Sequence, residues 1–224
     1  NRCKSPNMSQ PLRLVAVPAL ALPMFDRQAQ ELMRPWVERL AIPLAAAGVS
    51  ANQITIIGFG IGVVGAFLLS QGAFWPALLL IWLSRLSDAL DGAVARMSRS
   101  TDAGGFLDIS LDFVFYASIP LAFAIHDPTQ NALPAAVLLA GFIGTGSTFL
   151  AFAVFAAKRH LNSLAFPNKS FFYLGGLTEA GETMAVFSLM CIWPEIFDLL
   201  AYGFAVLCAL TTIMRIWWGW MAFK

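Results

Sequence analysis

A chain of 224 residues that is 58% hydrophobic, only 12% charged and of mean hydropathy +0.71 lacks the balance of a soluble domain. With 14 Lys and Arg against 13 Asp and Glu, its formal net charge of +1 gives no basis for nucleic-acid binding or for bulk capture by anionic lipid. Cys3, Cys191 and Cys208 are spaced for neither a disulfide framework nor a zinc site. The chain reads as a single helical membrane domain.

At the start, Arg2, Lys4 and Arg13 with a short apolar run and the triplet Ala19-Leu20-Ala21 imitate a signal peptide. The run is short and broken by Pro18, so a loosely ordered cytoplasmic tail over 1–25 is expected. Residues 26–48 then mix Arg27, Glu31, Arg34, Glu38 and Arg39 with Leu32, Met33, Trp36, Val37 and Leu40. That pattern predicts an amphipathic helix lying in the membrane interface, interrupted at Pro35.

Six apolar segments follow, predicted at 52–71, 74–96, 103–125, 132–157, 171–192 and 196–220, within a catalytic domain over 49–224. The expected fold is therefore all-α, a polytopic membrane protein with six transmembrane helices behind an interfacial helix. The first, third and fifth links, around Gly72, His126 to Asn131, and Trp193 to Glu195, contain no Lys or Arg. Arg96 and Arg99 flank the second link, Lys158, Arg159 and Lys169 the fourth, and Lys224 ends the chain. Both termini are expected in the cytoplasm. Of the two arginines inside predicted spans, Arg215 is close enough to the cytoplasmic end to snorkel and Arg85, one turn before Asp88, can balance that acid.

The stretch from Ser87 to Asp112, "SDALDGAVARMSRSTDAGGFLDISLD", places four aspartates at the edge of an apolar solvent. Asp88 and Asp91 are three apart near the end of the second span, and Asp108 and Asp112 four apart near the start of the third. Each pair shares a helix face. A short link makes the two helices antiparallel neighbours, so the acidic faces can meet, with Asp88 about 12 Å of helix rise before Arg96. Four carboxylates there cannot all stay ionised without a counter-charge. One divalent cation relieves the repulsion and two relieve it better; an all-oxygen site without His or Cys favours Mg²⁺ or Mn²⁺. Gly92, Gly104, Gly105 and Ala95 would let a bulky ligand approach the backbone, although small residues in membrane helices also serve packing. Arg96 is placed to meet phosphate oxygens.

In order, Asp88-x-x-Asp91-Gly92-x-x-Ala95-Arg96, seven residues, then Gly104-x-x-x-Asp108-x-x-x-Asp112 resembles the signature of the CDP-alcohol phosphatidyltransferases. The gap from Arg96 to Gly104 is one residue shorter than in many members. The resemblance implies that a hydroxyl attacks a phosphorus of a CDP-linked alcohol and CMP leaves. Asp88, Asp91, Asp108 and Asp112 are then the metal ligands, Asp112 is also the general base, and Gly92, Ala95, Arg96 and Gly104 line the cytidine and phosphate pocket. It further implies a homodimer that transfers a phosphatidyl group from CDP-diacylglycerol to a small hydroxyl acceptor, drawing on membrane lipid and two Mg²⁺ or Mn²⁺ ions. The expected location is the inner, plasma membrane of a bacterium, with the active site facing the cytoplasm.

Two rival readings stand beside this one. A soluble CDP-alcohol can instead donate its headgroup to diacylglycerol, and intramembrane carboxylates also mark cation or proton transporters. Against transport, the acids cluster at one surface and no internal repeat is visible. Glu179 and Glu182, within the fifth predicted span, either pair with Arg215 or Arg85 or face the acceptor pocket; Lys158, Arg159 and Lys169 can hold an acceptor phosphate. Asn52 and Thr55 either contact nucleotide or belong to a helix start capped by Ser50 or Asn52. His126 and His160 read as solvated loop histidines.

Overall fold

The computed structural model describes residues 24–98, 101–159 and 176–224, with side chains from residue 32 onward. The N-terminal tail to residue 23, Arg99, His160, Lys169 and the start of the predicted fifth span lie outside the described residues. Seven α-helices are formed among those described: α1 (Met24–Ala46), α2 (Ala51–Ser70), α3 (Phe74–Met97), α4 (Asp102–His126), α5 (Pro128–Lys158), α6 (Ala180–Ile192) and α7 (Phe197–Phe223). A 3-10 turn over Pro194–Ile196 leads into α7.

Local chemistry sets most helix starts. Ser50 caps α2 in a reciprocal box: its hydroxyl accepts from the Gln53 N–H at 3.3 Å while Gln53 Oε1 accepts from the Ser50 N–H at 2.9 Å. The cap is thus Ser50 and not Asn52. Thr101 caps α4 by accepting from the Gly104 N–H at 3.1 Å. α5 begins at Pro128, earlier than the predicted 132, because Asp127 Oδ1 accepts from the N–H groups of Thr129 and Gln130 and proline suits a first turn. Pro35 does not interrupt α1, which runs through both Pro35 and Pro43. Proline removes a single donor, and Pro35 and its neighbours are exposed, so the remaining hydrogen bonds carry the helix past it.

Four of these helical stretches, α2, α4, α5 and Pro194–Phe223, are long and apolar enough to cross a membrane. Their outward faces leave Phe67, Leu121, Ile143, Ile213 and Trp217 each more than half exposed, as expected of surfaces solvated by lipid. α3 carries Arg85 at its middle and Asp88, Asp91 and Arg96 in its C-terminal half, and α6 has only 13 residues.

The core lies where α2 to α7 meet, around the fully buried rings of Phe115, Phe123, Phe187 and Phe197, with Ala77 and Ile81 of α3 also fully buried. Phe123 and Phe197 stack at 4.3 Å. α2 packs closely on α3 and α4 because its facing residues are glycines. A Cβ at Gly62 would stand 2.6 Å from the Phe115 ring, and one at Gly58 would stand 2.5 Å from Ser87 Cβ. A smaller apolar cluster fastens α1 onto α2 and α3, joining Val37 and Ala41 to Ile54, Ala93 and Val94.

Successive helices alternate in direction, which gathers the starts of α2 and α4 with the ends of α3, α5 and α7 at one end of the bundle. Gly104 lies against Asn52 there, and Arg159 Nη2 donates to the Phe223 carbonyl at 2.6 Å. Among the described residues, Arg96, Lys158, Arg159 and Lys224 sit at this end, while the links at Gln71 to Ala73, Asp127 and Trp193 to Ile196 carry no Lys or Arg.

Candidate active site

The charged end of α3 meets the start of α4, as the two i, i+3 and i, i+4 pairs imply. Asp88, Asp108 and Asp112 each present a carboxylate oxygen to a common point, and these oxygens all lie within 4.8 Å of one another. Asp91 lines the same cleft but is not in that trio. It is buried against α2, where Thr55 Oγ1 donates to Asp91 Oδ2 at 2.6 Å. The bare surface of Gly58 allows this approach, since any side chain there would collide with Ser87. Neither of the sequence readings of Thr55 anticipates its role as a partner of Asp91. The nucleotide-contact reading does set Thr55 at this cleft, which it lines, but names no aspartate as its partner.

Arg85 also departs from expectation. Its close partner is on the next helix and not on its own: Nη1 donates to Asp112 Oδ1 at 2.7 Å, while Asp88 Oδ2 is 3.9 Å away. Its guanidinium lies over the rings of Phe115, at 4.0 Å, and Tyr116, at 5.3 Å. Four aspartates line the cleft with this arginine. Asp108 Oδ1 is buried with no hydrogen-bond partner. An unsatisfied buried carboxylate oxygen is costly. Three converging carboxylates, one of them with an unclaimed oxygen, fit a hard divalent cation.

The residues beyond the aspartates leave backbone open. A Cβ at Gly92 would meet only Arg96 Nη1, at 3.5 Å, and one at Gly105 would meet nothing within 4 Å. Ala95 is half-buried and Arg96 exposed on the following turn of α3. Gly104 differs, because its Cβ would stand 2.7 Å from Asn52 Oδ1, so its small size serves the contact between α2 and α4.

Glu179 and Glu182 lie outside the cleft. They stand at the start of α6, in a second capping box in which Glu182 Oε2 accepts from the Glu179 N–H at 3.1 Å. Arg215 does not snorkel. It is buried in α7, and its Nη1 donates to the Thr145 carbonyl of α5 at 2.9 Å. The position of that acceptor holds the side chain in the bundle. Cys191 and Cys208 are free thiols buried in the apolar core, away from the acids.

The family model for CDP-alcohol phosphatidyltransferase matches residues 48–222, which take in every aspartate of the cleft. The chain belongs to this family. An Escherichia coli K12 relative, inner membrane protein YnjF, is 46% identical over 201 residues, covering 90% of this chain and 98% of that one. The archaetidylinositol phosphate synthase of Pyrococcus horikoshii is 36% identical over 90 residues, 40% of this chain and 48% of its own. In fold, the chain resembles the Mycobacterium tuberculosis phosphatidylinositol phosphate synthase with CDP-DAG bound, with TM-score 0.64, 22% identity and coverage of 82% and 93%. The same synthase in complex with manganese and citrate gives TM-score 0.63, 22% identity and coverage of 82% and 88%. CDP-alcohol phosphatidyltransferases are divalent-metal-dependent membrane enzymes of phospholipid synthesis, and the donor set between α3 and α4 suits that chemistry.

Proposed function

We propose that this CDP-alcohol phosphatidyltransferase moves a phosphatidyl group from CDP-diacylglycerol to the hydroxyl of a small acceptor and releases CMP. The observation that carries the reading is the convergence of Asp88, Asp108 and Asp112, all signature positions, within 4.8 Å. Asp88, Asp91, Asp108 and Asp112 would hold Mg²⁺ or Mn²⁺. When bound, the metal supplies charge stabilisation for the pyrophosphate and for the departing CMP.

The chain's own groups then divide the work. Asp112 takes the proton of the acceptor hydroxyl as its oxygen forms a bond to the phosphatidyl phosphorus and the bond from that phosphorus to the CMP oxygen breaks. Gly92 and Ala95 leave room for cytidine and phosphates along α3, Arg96 meets phosphate oxygens from the exposed side, and Gly104 keeps the start of α4 close to α2.

The bundle sits in an inner membrane as six crossings, with α3 and α6 added to the four apolar stretches, and with the charged end in the cytoplasm. α3 is long enough for this at 24 residues, or about 36 Å. α1 lies in the interface: Leu32, Trp36 and Leu40 are exposed beside Arg34 and Arg39, while Val37 and Ala41 hold it to the bundle. Domain limits of 26–48 and 49–224 and a homodimeric assembly complete the reading.

Relatives named for inositol phosphate lipids favour a phosphorylated polyol as acceptor, with Lys158 at the same end of the bundle. Purified enzyme with Mg²⁺ or Mn²⁺, incubated with CDP-diacylglycerol and a panel of acceptors, tests this through CMP release. Release only from soluble CDP-alcohols with diacylglycerol would reverse the donor and acceptor, and release from no CDP-alcohol would end the proposal.

A further inference from the structure

Arg85 stands outside the aspartate signature, yet it touches the cluster more closely than any other cation among the described residues. It is held from two directions. The guanidinium carbon lies 4.0 Å from the centre of the Phe115 ring, which is itself fully buried, and Nη1 bonds Asp112 Oδ1 at 2.7 Å. Only 12% of the Arg85 side chain is exposed, and its Nε is buried with no hydrogen-bond partner. The packing, more than hydrogen bonding, therefore decides where the guanidinium rests. Only Oδ1 of Asp112 takes the short bond, so its second oxygen is not committed to Arg85.

We infer that Arg85 is a positioning residue for this site: it fixes the Asp112 carboxylate through one oxygen, and its fixed positive charge weakens the cluster's hold on divalent metal. This rests on the proposed function. The physical consequence is a split in sign. A guanidinium close to the trio repels a second cation, so removing it strengthens metal binding. The same removal frees Asp112 to rotate, which slows proton removal from the acceptor. A residue that merely filled space would lower metal binding and turnover together.

The test measures Mn²⁺ binding to the full-length enzyme in detergent by electron paramagnetic resonance without nucleotide, alongside kcat for CMP release at saturating Mn²⁺. Arg85→Met should bind Mn²⁺ roughly tenfold more tightly, from loss of one nearby charge. Its kcat should fall roughly 100-fold, from loss of orientation. Arg85→Lys keeps the charge but not the planar fork or stack; it should hold Mn²⁺ within about threefold of wild type while kcat recovers only in part.

Weaker Mn²⁺ binding in step with lower kcat in both variants would overturn the role, as would an unchanged kcat. If Arg85→Met cannot be purified folded, Arg85→Lys decides alone by the same two readings. Wild-type enzyme that binds no Mn²⁺ defeats the proposed function itself, whereas binding by wild type with weaker binding by Arg85→Met defeats only the role of Arg85.

Discussion

Two regions of this bundle bury an arginine beside acidic residues, and they use it differently. Between α2, α3 and α4, Arg85 faces four aspartates, and Asp108 Oδ1 has no hydrogen-bond partner. Between α5, α6 and α7, Arg215 donates to a main-chain carbonyl, Thr211 accepts from the Leu177 N–H at 3.1 Å, and Glu182 caps α6. In the second region these bonds run to backbone and tie α7 to α5 and to the approach to α6. The first gathers four carboxylates around one arginine, a charge balance that a divalent cation would offset. Buried charge in a membrane helix therefore marks function only where the surrounding groups leave it unbalanced.

The strongest attack on this contrast is to remove the excess acid. Asp108→Asn, or chelation of wild type with EDTA, should abolish CMP release, and readdition of Mg²⁺ or Mn²⁺ should restore only the wild type. Persisting activity in the chelated enzyme would place both regions in the same structural class. Next in size, Asp112→Asn should lower turnover by roughly 10²- to 10⁴-fold while part of the CDP-diacylglycerol binding remains. Equilibrium binding measured beside CMP release separates the two.

A change in the other region should act on stability instead. Thr211→Val removes the acceptor for the Leu177 N–H from a fully buried position. It should destabilise by about 1–2 kcal/mol, seen as a lower thermal midpoint in detergent, with CMP release per folded molecule nearly unchanged. The smallest effect is expected at the boundary of the cleft. Thr55→Val deletes the 2.6 Å bond to Asp91 and should raise the Mn²⁺ concentration needed for half-maximal CMP release by a few-fold, with little change in kcat.

Much of this molecule was legible along the chain. Apolar segment length marked the helices, and repeats of three and four residues placed each pair of aspartates on one face, because helix geometry is local. Ser50, one of two cap candidates, marked its helix start for the same reason, and Thr101 carried a cap signal of the same kind that was not read. The Asp127-Pro128 signal for α5 was also there to be read, since side-chain capping and a proline in the first turn act within three residues. Pro35 misled because a proline breaks a helix only if the surrounding contacts do not hold it, and Val37 and Ala41 are anchored on α3. Arg215 misled because distance from a helix end along the chain does not say which carbonyl lies across the bundle.

The sequence by itself determined an α-helical membrane protein, the family signature and the two acidic helix faces, since all of these depend on composition and on spacing along one chain. Only the tertiary structure decided that Asp88, Asp108 and Asp112 converge while Asp91 turns to Thr55, and that Arg85 reaches across to Asp112 over the Phe115 ring. Those choices follow from the rotation and depth at which α2, α3 and α4 pack, which glycines such as Gly58 and Gly62 set by close approach.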